Sequence, residues 1–271
     1  MTKGAPLGHL FFYAVPLLLG NWLQLAYNAV DSIIAGRFIG QDALAAEGIA
    51  GPVMNLVILA VSGLCIGAGV LMSEAFGAKN RGDLHRYLAN GAWLCVAVSV
   101  VFTILTTLLA APLLQLIHTP DDIFADAVKY VRVIFLGIPA TVLYNYSASV
   151  LRSLGDSKHP FYFLLGASII NIGLDWALIV PVGMGVDGAA LATVVSQLFS
   201  GLLCTWWFFA KVEGIRFTKE NTRLSPAHCK RLAVIGLPMG FEYSVSAIGA
   251  VIMQDAINLM GSVVVAAQDG I

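Results

Sequence analysis

The sequence predicts an all-α, polytopic membrane protein, in which a six-helix transmembrane lobe is followed by a seventh helix that begins a parallel second repeat. Composition is the first observation: 58% of the 271 residues are hydrophobic and only 11% are charged, whereas a soluble domain carries about 25% charged residues. The second is a series of long apolar stretches between clusters of charge, and the third is a likeness between the seventh stretch and the first. A net charge of −1 also argues against a nucleic-acid partner.

Seven apolar stretches are long enough to cross the hydrocarbon core of a bilayer, which takes about 20 residues in a helix. None alternates between apolar and polar residues as barrel strands do, so each is predicted to be a helix. The first stretch has no small-residue cleavage site, and we interpret it as a spanning helix rather than a removed signal. The predicted spans are residues 7–36, 49–72, 87–117, 125–151, 161–181, 188–210 and 232–260.

The lysines and arginines predict the orientation of the chain. Of the 15 cationic residues, Arg37, Lys129 and Arg132 fall on one side of the predicted membrane and all the others fall on the opposite side. Because cationic residues concentrate on the cytoplasmic side, the N-terminus is predicted to lie in the cytoplasm, with the helices in the plasma membrane. Glu47 and Glu74 lie near the ends of predicted spans, where we expect hydrated carboxylates with no special role.

An internal repeat divides the chain. Short motifs in and just after the first span recur in and just after the seventh at an almost constant offset, although a chance likeness between two apolar helices is the alternative. We predict a six-helix lobe over residues 1–210, a cytoplasmic linker over 211–231, and the first helix of a truncated C-terminal lobe over 232–271. The missing lobe is then an expected partner. The matching pairs are Val15-Pro16 with Leu237-Pro238, Ala45-Ala46 with Ala266-Ala267, and Gly48-Ile49 with Gly270-Ile271.

Carboxylates inside two predicted spans are the strongest functional signal, since placing one at the centre of a membrane helix costs about 2.5–3.5 kcal/mol. Asp31 and Asp175 lie at similar depths, and Tyr130 and Thr193 enter the same outer half from other spans. We predict a site for a proton or a Na⁺ ion, the alternative being that the two acids only cap a helix or bond their neighbours. Polar residues share the helical face of each acid: Asn21, Gln24 and Asn28 that of Asp31, and Ser168 and Asn171 that of Asp175.

The amides on the face of Asp31 have two interpretations. They either contact a substrate or form hydrogen bonds between helices.

The prolines within the predicted spans indicate bends, because proline removes one backbone hydrogen bond from a helix. Pro16, Pro139 and Pro238 therefore each predict a bend or a hinge.

Enzymatic and metal chemistry have little support in the sequence. The five histidines show no HxxxH or HExxH spacing, and no P-loop or GxSxG motif is present. The four cysteines lack CxxC spacing and are expected to be apolar fillers rather than ligands or disulfide partners. We therefore expect no enzyme activity and no cofactor.

Several motifs resemble those of the multidrug and toxic compound extrusion transporters, and together they cover nearly the whole chain. The resemblance implies a family fold of twelve helices in two six-helix lobes, of which this chain would supply the N-terminal lobe and the first helix of the next. The motifs are Pro16 and the segments 25–31 (LAYNAVD), 36–40 (GRFIG), 43–46 (ALAA), 76–79 (FGAK), 151–156 (LRSLGD) and 188–193 (GAALAT).

The resemblance also implies particular site residues. Pro16 matches the position at which the first helix of the family bends, and Asn145 matches a position that lines the substrate cavity. With Asn28 and Gln24, Asn145 completes the predicted cavity residues. The positions that match the cation and proton site are Asp31, Tyr130, Asn171, Asp175 and Thr193, with Na⁺ or H⁺ as the coupling ion.

The function that the resemblance implies is secondary active efflux by alternating access. Organic cations or amphipathic drugs would leave the cell in exchange for H⁺ or Na⁺, with membrane lipid around the lobe. Two other functions stay open at this point. A flippase for lipid-linked oligosaccharides has the same two-lobed architecture, and it predicts a cavity lined with several Arg and Lys. A seven-helix receptor predicts an N-terminus outside the cell.

Overall fold

The computed structural model describes residues 6–211 and 222–258, and these residues form eight α-helices and no β-strand. Residues 212–221 of the predicted linker, and the second halves of the repeat motifs at 266–271, lie outside the described residues. The helices are α1 (Pro6–Phe38), α2 (Gln41–Gly77), α3 (Arg81–Leu116), α4 (Asp121–Leu136), α5 (Ile138–Ser153), α6 (Lys158–Ile179), α7 (Val186–Lys211) and α8 (Pro226–Asn258).

Length and composition identify the helices that are able to cross a membrane. Within the described ranges, four helices qualify, namely α2, α3, α6 and α7, and the bent pair of α4 and α5 makes a fifth candidate. α1 and α8, of 33 residues each, occupy the first and seventh predicted spans, whose crossing stays a prediction. Large apolar side chains such as Trp22, Leu108 and Trp206 are exposed, as expected for surfaces that face lipid.

The predicted fourth span is broken in the middle, where α4 and α5 meet at Gly137 at an angle of 44°. Pro139 has no N–H to donate to the preceding turn, so the helix does not continue unbroken through this position. A Cβ atom on Gly137 would overlap the side chain of Val194, and glycine therefore lets α7 approach the bend closely. The bend predicted at Pro139 is confirmed, whereas Pro16 and Pro238 lie inside continuous helices.

α2 is the central helix and packs against α1, α3, α4, α5 and α8. It begins at Gln41 because Gly40 adopts a φ of 131°, which turns the chain sharply after α1. The alanine-rich run at 43–46 is then helical, in keeping with the high helix propensity of alanine. The predicted start of the second span, residue 49, was wrong by about two turns. Glu47 consequently lies inside α2 rather than at its end.

α8 lies along α2 at a separation that only glycine permits. A Cβ atom on Gly63 would overlap the backbone of Gly240, and one on Gly67 would overlap the backbone of Gly236. The partner number falls as the number on α2 rises, so the two helices run antiparallel. α8 is therefore packed directly on the central helix.

α6 packs against both α1 and α7. This arrangement determines the site, because each of the three helices carries polar residues inside an apolar segment. Asp31 of α1 and Asp175 of α6 are buried, and Thr193 of α7 is half-buried. The packing thus gathers polar groups that lie more than a hundred residues apart in the sequence.

Candidate functional site

The site is built on a pair of buried carboxyl groups. Asp31 is 4% exposed and Asp175 is 0% exposed, and their carboxyl groups lie close enough to interact with each other. The two residues come from α1 and α6, which pack side by side. The predicted meeting of the two acids is therefore present in the structure.

Three of the four carboxylate oxygen atoms of this pair lack a hydrogen-bond donor within the described residues. In the part of the chain that the structure describes, no hydrogen-bond donor reaches Oδ1 of Asp31, either carboxylate oxygen of Asp175 or Oδ1 of Asn171. A carboxylate only accepts hydrogen bonds, so two carboxylates in contact need a proton or a cation between them. Buried polar atoms without a partner are costly, at about 1–3 kcal/mol each. The arrangement is thus suited to bind H⁺ or a small cation.

Asn171 and Thr193 extend the site toward α7. Nδ2 of Asn171 donates a long hydrogen bond of 3.5 Å to Oγ1 of Thr193. A void of about 10 Å³ lies beside the two residues, and about this volume holds a single water molecule. Asn171 Oδ1 and the Thr193 hydroxyl oxygen are the kinds of neutral ligand that Na⁺ accepts together with carboxylates.

Tyr130 belongs to the same cluster. Its side chain is 4% exposed, and its hydroxyl donates a long hydrogen bond of 3.5 Å to Oε1 of Glu47. All five residues predicted for the cation and proton site therefore lie in one region of the lobe, where α1, α4, α6 and α7 meet.

Glu47 is a member of this cluster that the sequence-based interpretation missed. The expectation of a hydrated carboxylate at a helix end was wrong: Glu47 lies inside α2 and is half-buried, with its carboxyl group close enough to interact with that of Asp31. The reason is the early start of α2. The positive φ that Gly40 permits and the helix-forming run after it were the signals that could have placed Glu47 within the helix. Glu74, by contrast, is exposed as expected, and it pairs with Arg231 at 3.3 Å.

A large cavity adjoins the acid cluster. Its volume is about 420 Å³, and its lining includes all three predicted cavity residues, Asn28, Gln24 and Asn145, as well as Pro16. The side-chain amide of Asn145 donates to the carbonyl of Thr141 at 2.9 Å. Arg152 is the one basic residue among the described residues of the lining.

The polar face of α1 is partly exposed to the cavity and partly buried against α6. Asn21, Gln24 and Asn28 are exposed and line the cavity, whereas Asp31 is buried against α6. One helix therefore carries both the cavity amides and one acid of the pair. Whether Pro16 acts as a hinge within this helix stays a prediction.

Four residues lie between the cavity and the small void beside Asn171. Tyr27, Leu164, Thr193 and Gln197 line both spaces. Gln197 Nε2 donates to the Tyr27 hydroxyl at 3.5 Å. Sequence reasoning missed Tyr27 and Gln197. Gln197 lies four residues after Thr193 on the same helical face, and this spacing could have revealed it.

Most of the chain matches one family of known proteins. The family model MatE matches residues 16–177, which is more than half of the sequence. The chain therefore belongs to the MatE family, whose members are transporters and not enzymes. With its apolar helices, it is an integral membrane protein.

Two relatives in Bacillus subtilis are the probable multidrug resistance proteins YoeA and YpnP. YoeA is 31% identical over 87% of this chain and 52% of its own length, and YpnP is 28% identical over 97% of this chain and 59% of its own length. The chain thus spans somewhat more than half the length of the relatives that it matches.

Solved structures of the family have the same fold. An inward-facing and an outward-facing conformation of a multidrug resistance MATE family transporter both match with a TM-score of 0.82 and 26% identity. The matches cover 90% and 89% of this chain, and 56% and 53% of the transporter chains.

Proposed function

We propose that this chain forms one lobe of a secondary active exporter, which moves organic cations or other amphipathic drugs outward in exchange for H⁺ or Na⁺. The observation that carries the proposal is the close approach of Asp31 and Asp175 next to a large, largely uncharged cavity. Three of their four carboxylate oxygens lack a hydrogen-bond donor among the described residues. The names of the relatives support a multidrug substrate range. A second lobe would complete the cavity.

Coupling follows from the position of α1. This helix carries Asp31 in the acid pair and Gln24 and Asn28 in the cavity lining. Binding of H⁺ or Na⁺ at the acid pair satisfies its oxygen atoms and changes what Asp31 contacts, so α1 moves or bends, with Pro16 as the proposed hinge. The cavity then loses affinity for the drug. The equal likeness to an inward-facing and an outward-facing transporter supports a lobe that moves largely as one body.

The energetics of this exchange are feasible. One elementary charge that crosses 100 mV supplies about 2.3 kcal/mol. Because about 1.4 kcal/mol corresponds to a tenfold ratio, each inward charge supports a drug gradient of roughly 40-fold. One coupling ion per drug is therefore sufficient for useful export from a plasma membrane.

The cavity chemistry favours export of cations over oligosaccharide flipping. A flippase for a lipid-linked, phosphate-bearing sugar needs several basic groups in its cavity, whereas Arg152 is alone among the described lining residues. Neutral amides and aromatic side chains suit amphipathic cations better. The receptor hypothesis is wrong, because the family is one of transporters.

Drug efflux from an efflux-deficient bacterial strain that expresses the whole protein tests the proposal. We expect Asp31→Asn and Asp175→Asn each to abolish ethidium efflux that depends on an ion gradient. Ser168→Ala serves as the control, because its buried hydroxyl donates only to the carbonyl of Leu164 within α6, at 2.9 Å. Efflux at the wild-type rate from both acid variants would refute the proposed coupling site.

A further inference from the structure

Glu47 lies beside the acid pair but has no role in the ion–drug exchange proposed above. For the description that follows, the outer end of the lobe is the end at which α1 finishes and α2 begins. The orientation predicted from Lys and Arg places this end away from the cytoplasm. Glu47 lies six residues into α2, and hence about 9 Å from that end.

We propose that Glu47 is a proton-transfer residue, which carries H⁺ between the outer end of the lobe and the Asp31–Asp175 pair. This inference rests on the proposed function and deepens it, because it makes H⁺ the coupling ion and assigns the path of its arrival. Glu47 is half-buried, whereas Asp31 and Asp175 are almost fully buried. Of the three acids, Glu47 is therefore the one nearest to water.

The three acids form a series, in the order Glu47, Asp31 and Asp175, rather than a group of ligands around one point. Asp31 is the shared neighbour in this series, because its carboxyl group interacts with the carboxyl groups of both Glu47 and Asp175. Across the described ranges, no three acidic, histidine or cysteine side chains converge closely enough to hold one metal ion. A series of acids in contact suits the stepwise transfer of a proton, whereas a shared cation needs its ligands around one point.

The transfer balances in its atoms and charges. A proton from water on the outer side binds the Glu47 carboxylate. The O–H bond of Glu47 then breaks as an O–H bond forms on the Asp31 carboxylate, which leaves Glu47 ionised and ready for the next proton. Asp31 shares the proton with Asp175, and no electron transfer or further reactant is needed.

Tyr130 holds the first acid of the series in place. Its hydroxyl donates to Oε1 of Glu47 at 3.5 Å, so the tyrosine is a positioning residue that limits where the carboxyl group points. Tyr130 also lies close to Asp31 and Asp175. Tyr130 is therefore the residue of α4 that packs against the three acids.

The other charged groups on helices that pack against the outer half of α2 lie on α1, α4 and α8. Arg37 of α1 is exposed. On α4, Asp126 is paired with Lys129 at 3.0 Å, and Asp121, Asp122 and Arg132 are exposed.

On α8, the antiparallel register set by Gly63 and Gly240 brings Asp255 to about the level of Glu47. Asp255 is bonded to His118 at 2.9 Å, at the outer end. The outer halves of α3 and α5 contain no Asp, Glu, His, Lys or Arg. Glu47 is thus the acid of α2 that contacts the pair.

The test uses the whole protein, purified and reconstituted in lipid vesicles, with ethidium transport driven by an imposed pH gradient. We expect Glu47→Gln to slow this transport by about 100-fold, the lower range for loss of a positioned acid–base group. Glu47→Asp keeps a carboxyl group, and we expect it to restore at least a tenth of the wild-type rate, with a shifted dependence on the outer pH. Glu74→Gln is the matched control, because Glu74 lies exposed on the same helix, and we expect wild-type transport.

Several outcomes would overturn the inference, and they differ from a failure of the proposed function. If Glu47→Gln melts at the wild-type temperature and transports at the wild-type rate and pH dependence, Glu47 does not carry the proton. If a Na⁺ gradient drives the wild-type protein and a pH gradient does not, the inference is also wrong, while ion-coupled export stands. If Asp31→Asn and Asp175→Asn transport normally as well, the coupling site itself is refuted.

Discussion

Asp175 is the most deeply buried acid of the site, and it has no donor within the described structure for either carboxylate oxygen. The carboxylate that the proposed ion binding requires therefore lowers the stability of the fold. An asparagine in its place offers an N–H₂ group to Asp31 and removes one buried carboxylate. We expect Asp175→Asn to raise the free energy of unfolding by about 1–3 kcal/mol while it abolishes ion-coupled transport. Thermal unfolding in detergent, combined with transport, measures both effects.

Ser168→Ala is the control for this variant, because it changes a buried polar residue of the same helix whose hydrogen bond stays within α6. We expect Ser168→Ala to transport drug normally and not to gain stability. An Asp175→Asn protein that unfolds more readily than the wild type would contradict the idea that the acid pair lacks a partner.

Thr193 is the residue at which the proposed ion site and the cavity meet. Thr193→Val keeps the shape of the side chain and removes its hydroxyl, so Asn171 loses an acceptor. A net hydrogen bond is worth about 1 kcal/mol, and we expect Thr193→Val to weaken ion binding about fivefold. Thr193→Ser should bind the ion with nearly the wild-type affinity. The affinity is obtained from ion-dependent changes in tryptophan fluorescence, and equal affinities for Val and Thr would contradict the assignment.

At the scale of the element, the contact between α2 and α8 depends on two glycine pairs. Gly63→Ala places a methyl group in the backbone of Gly240, and such overpacking costs about 1–3 kcal/mol. Gly51 lies on the same helix, but a Cβ atom there meets nothing within 4 Å. Gly51→Ala should instead stabilise the helix by about 1 kcal/mol.

Unfolding by heat in detergent distinguishes the two glycine variants. We expect the melting temperature to fall for Gly63→Ala and to rise or stay constant for Gly51→Ala. A similar change in both variants would mean that glycine acts through helix propensity alone, and that α8 does not lie as close to α2 as the structure has it.

The elements also indicate what sequence reasoning is able to predict. Pro139 was a correct signal for the bend between α4 and α5, because the loss of a backbone donor is a local property of proline. The start of α2 was placed too late, because hydropathy falls at Gln41 while the helix depends on the turn at Gly40. Glu47 was missed for that reason alone. The glycine pairs of α2 and α8 were not predicted, since periodicity does not reveal which helices approach each other.

At the scale of the whole molecule, the orientation in the membrane is the prediction to test. Lys79, between α2 and α3, is predicted to lie in the cytoplasm, and Lys129, on α4, is predicted to face outside. Both side chains are exposed. In intact cells, a membrane-impermeant maleimide should label Lys129→Cys and should label Lys79→Cys only after the membrane is opened.

The four native cysteines need replacement before this labelling, and the cysteine-free protein is the control. The reverse pattern, with Lys79→Cys labelled in intact cells, would place the N-terminus outside and invert the proposed direction of proton arrival at Glu47. Labelling of both variants in intact cells would contradict a single membrane-embedded lobe.

The sequence predicted that Asp31 and Asp175 come together, but not how the polar face of α1 is divided between the acid pair and the cavity. Asp31 and Asp175 stand out because a carboxylate in an apolar helix is rare, whatever the fold around it. The helical period correctly grouped Asn28 with Asp31, but it did not indicate that one faces the cavity while the other is buried against α6. That division depends on which neighbouring helix covers which part of the face, and this is a property of the assembled lobe.

The double role of Thr193 limits how freely the two ligands of the transporter can coexist. The Thr193 hydroxyl oxygen has two lone pairs, and one of them accepts from Asn171 Nδ2, so a drug that donates to this oxygen competes with the coupling ion for the other. Simultaneous occupancy is therefore penalised on both sides, and by linkage each ligand weakens the other by the same factor. Slippage, in which ions run down their gradient with no cargo exchanged, should increase in proteins that lack this hydroxyl.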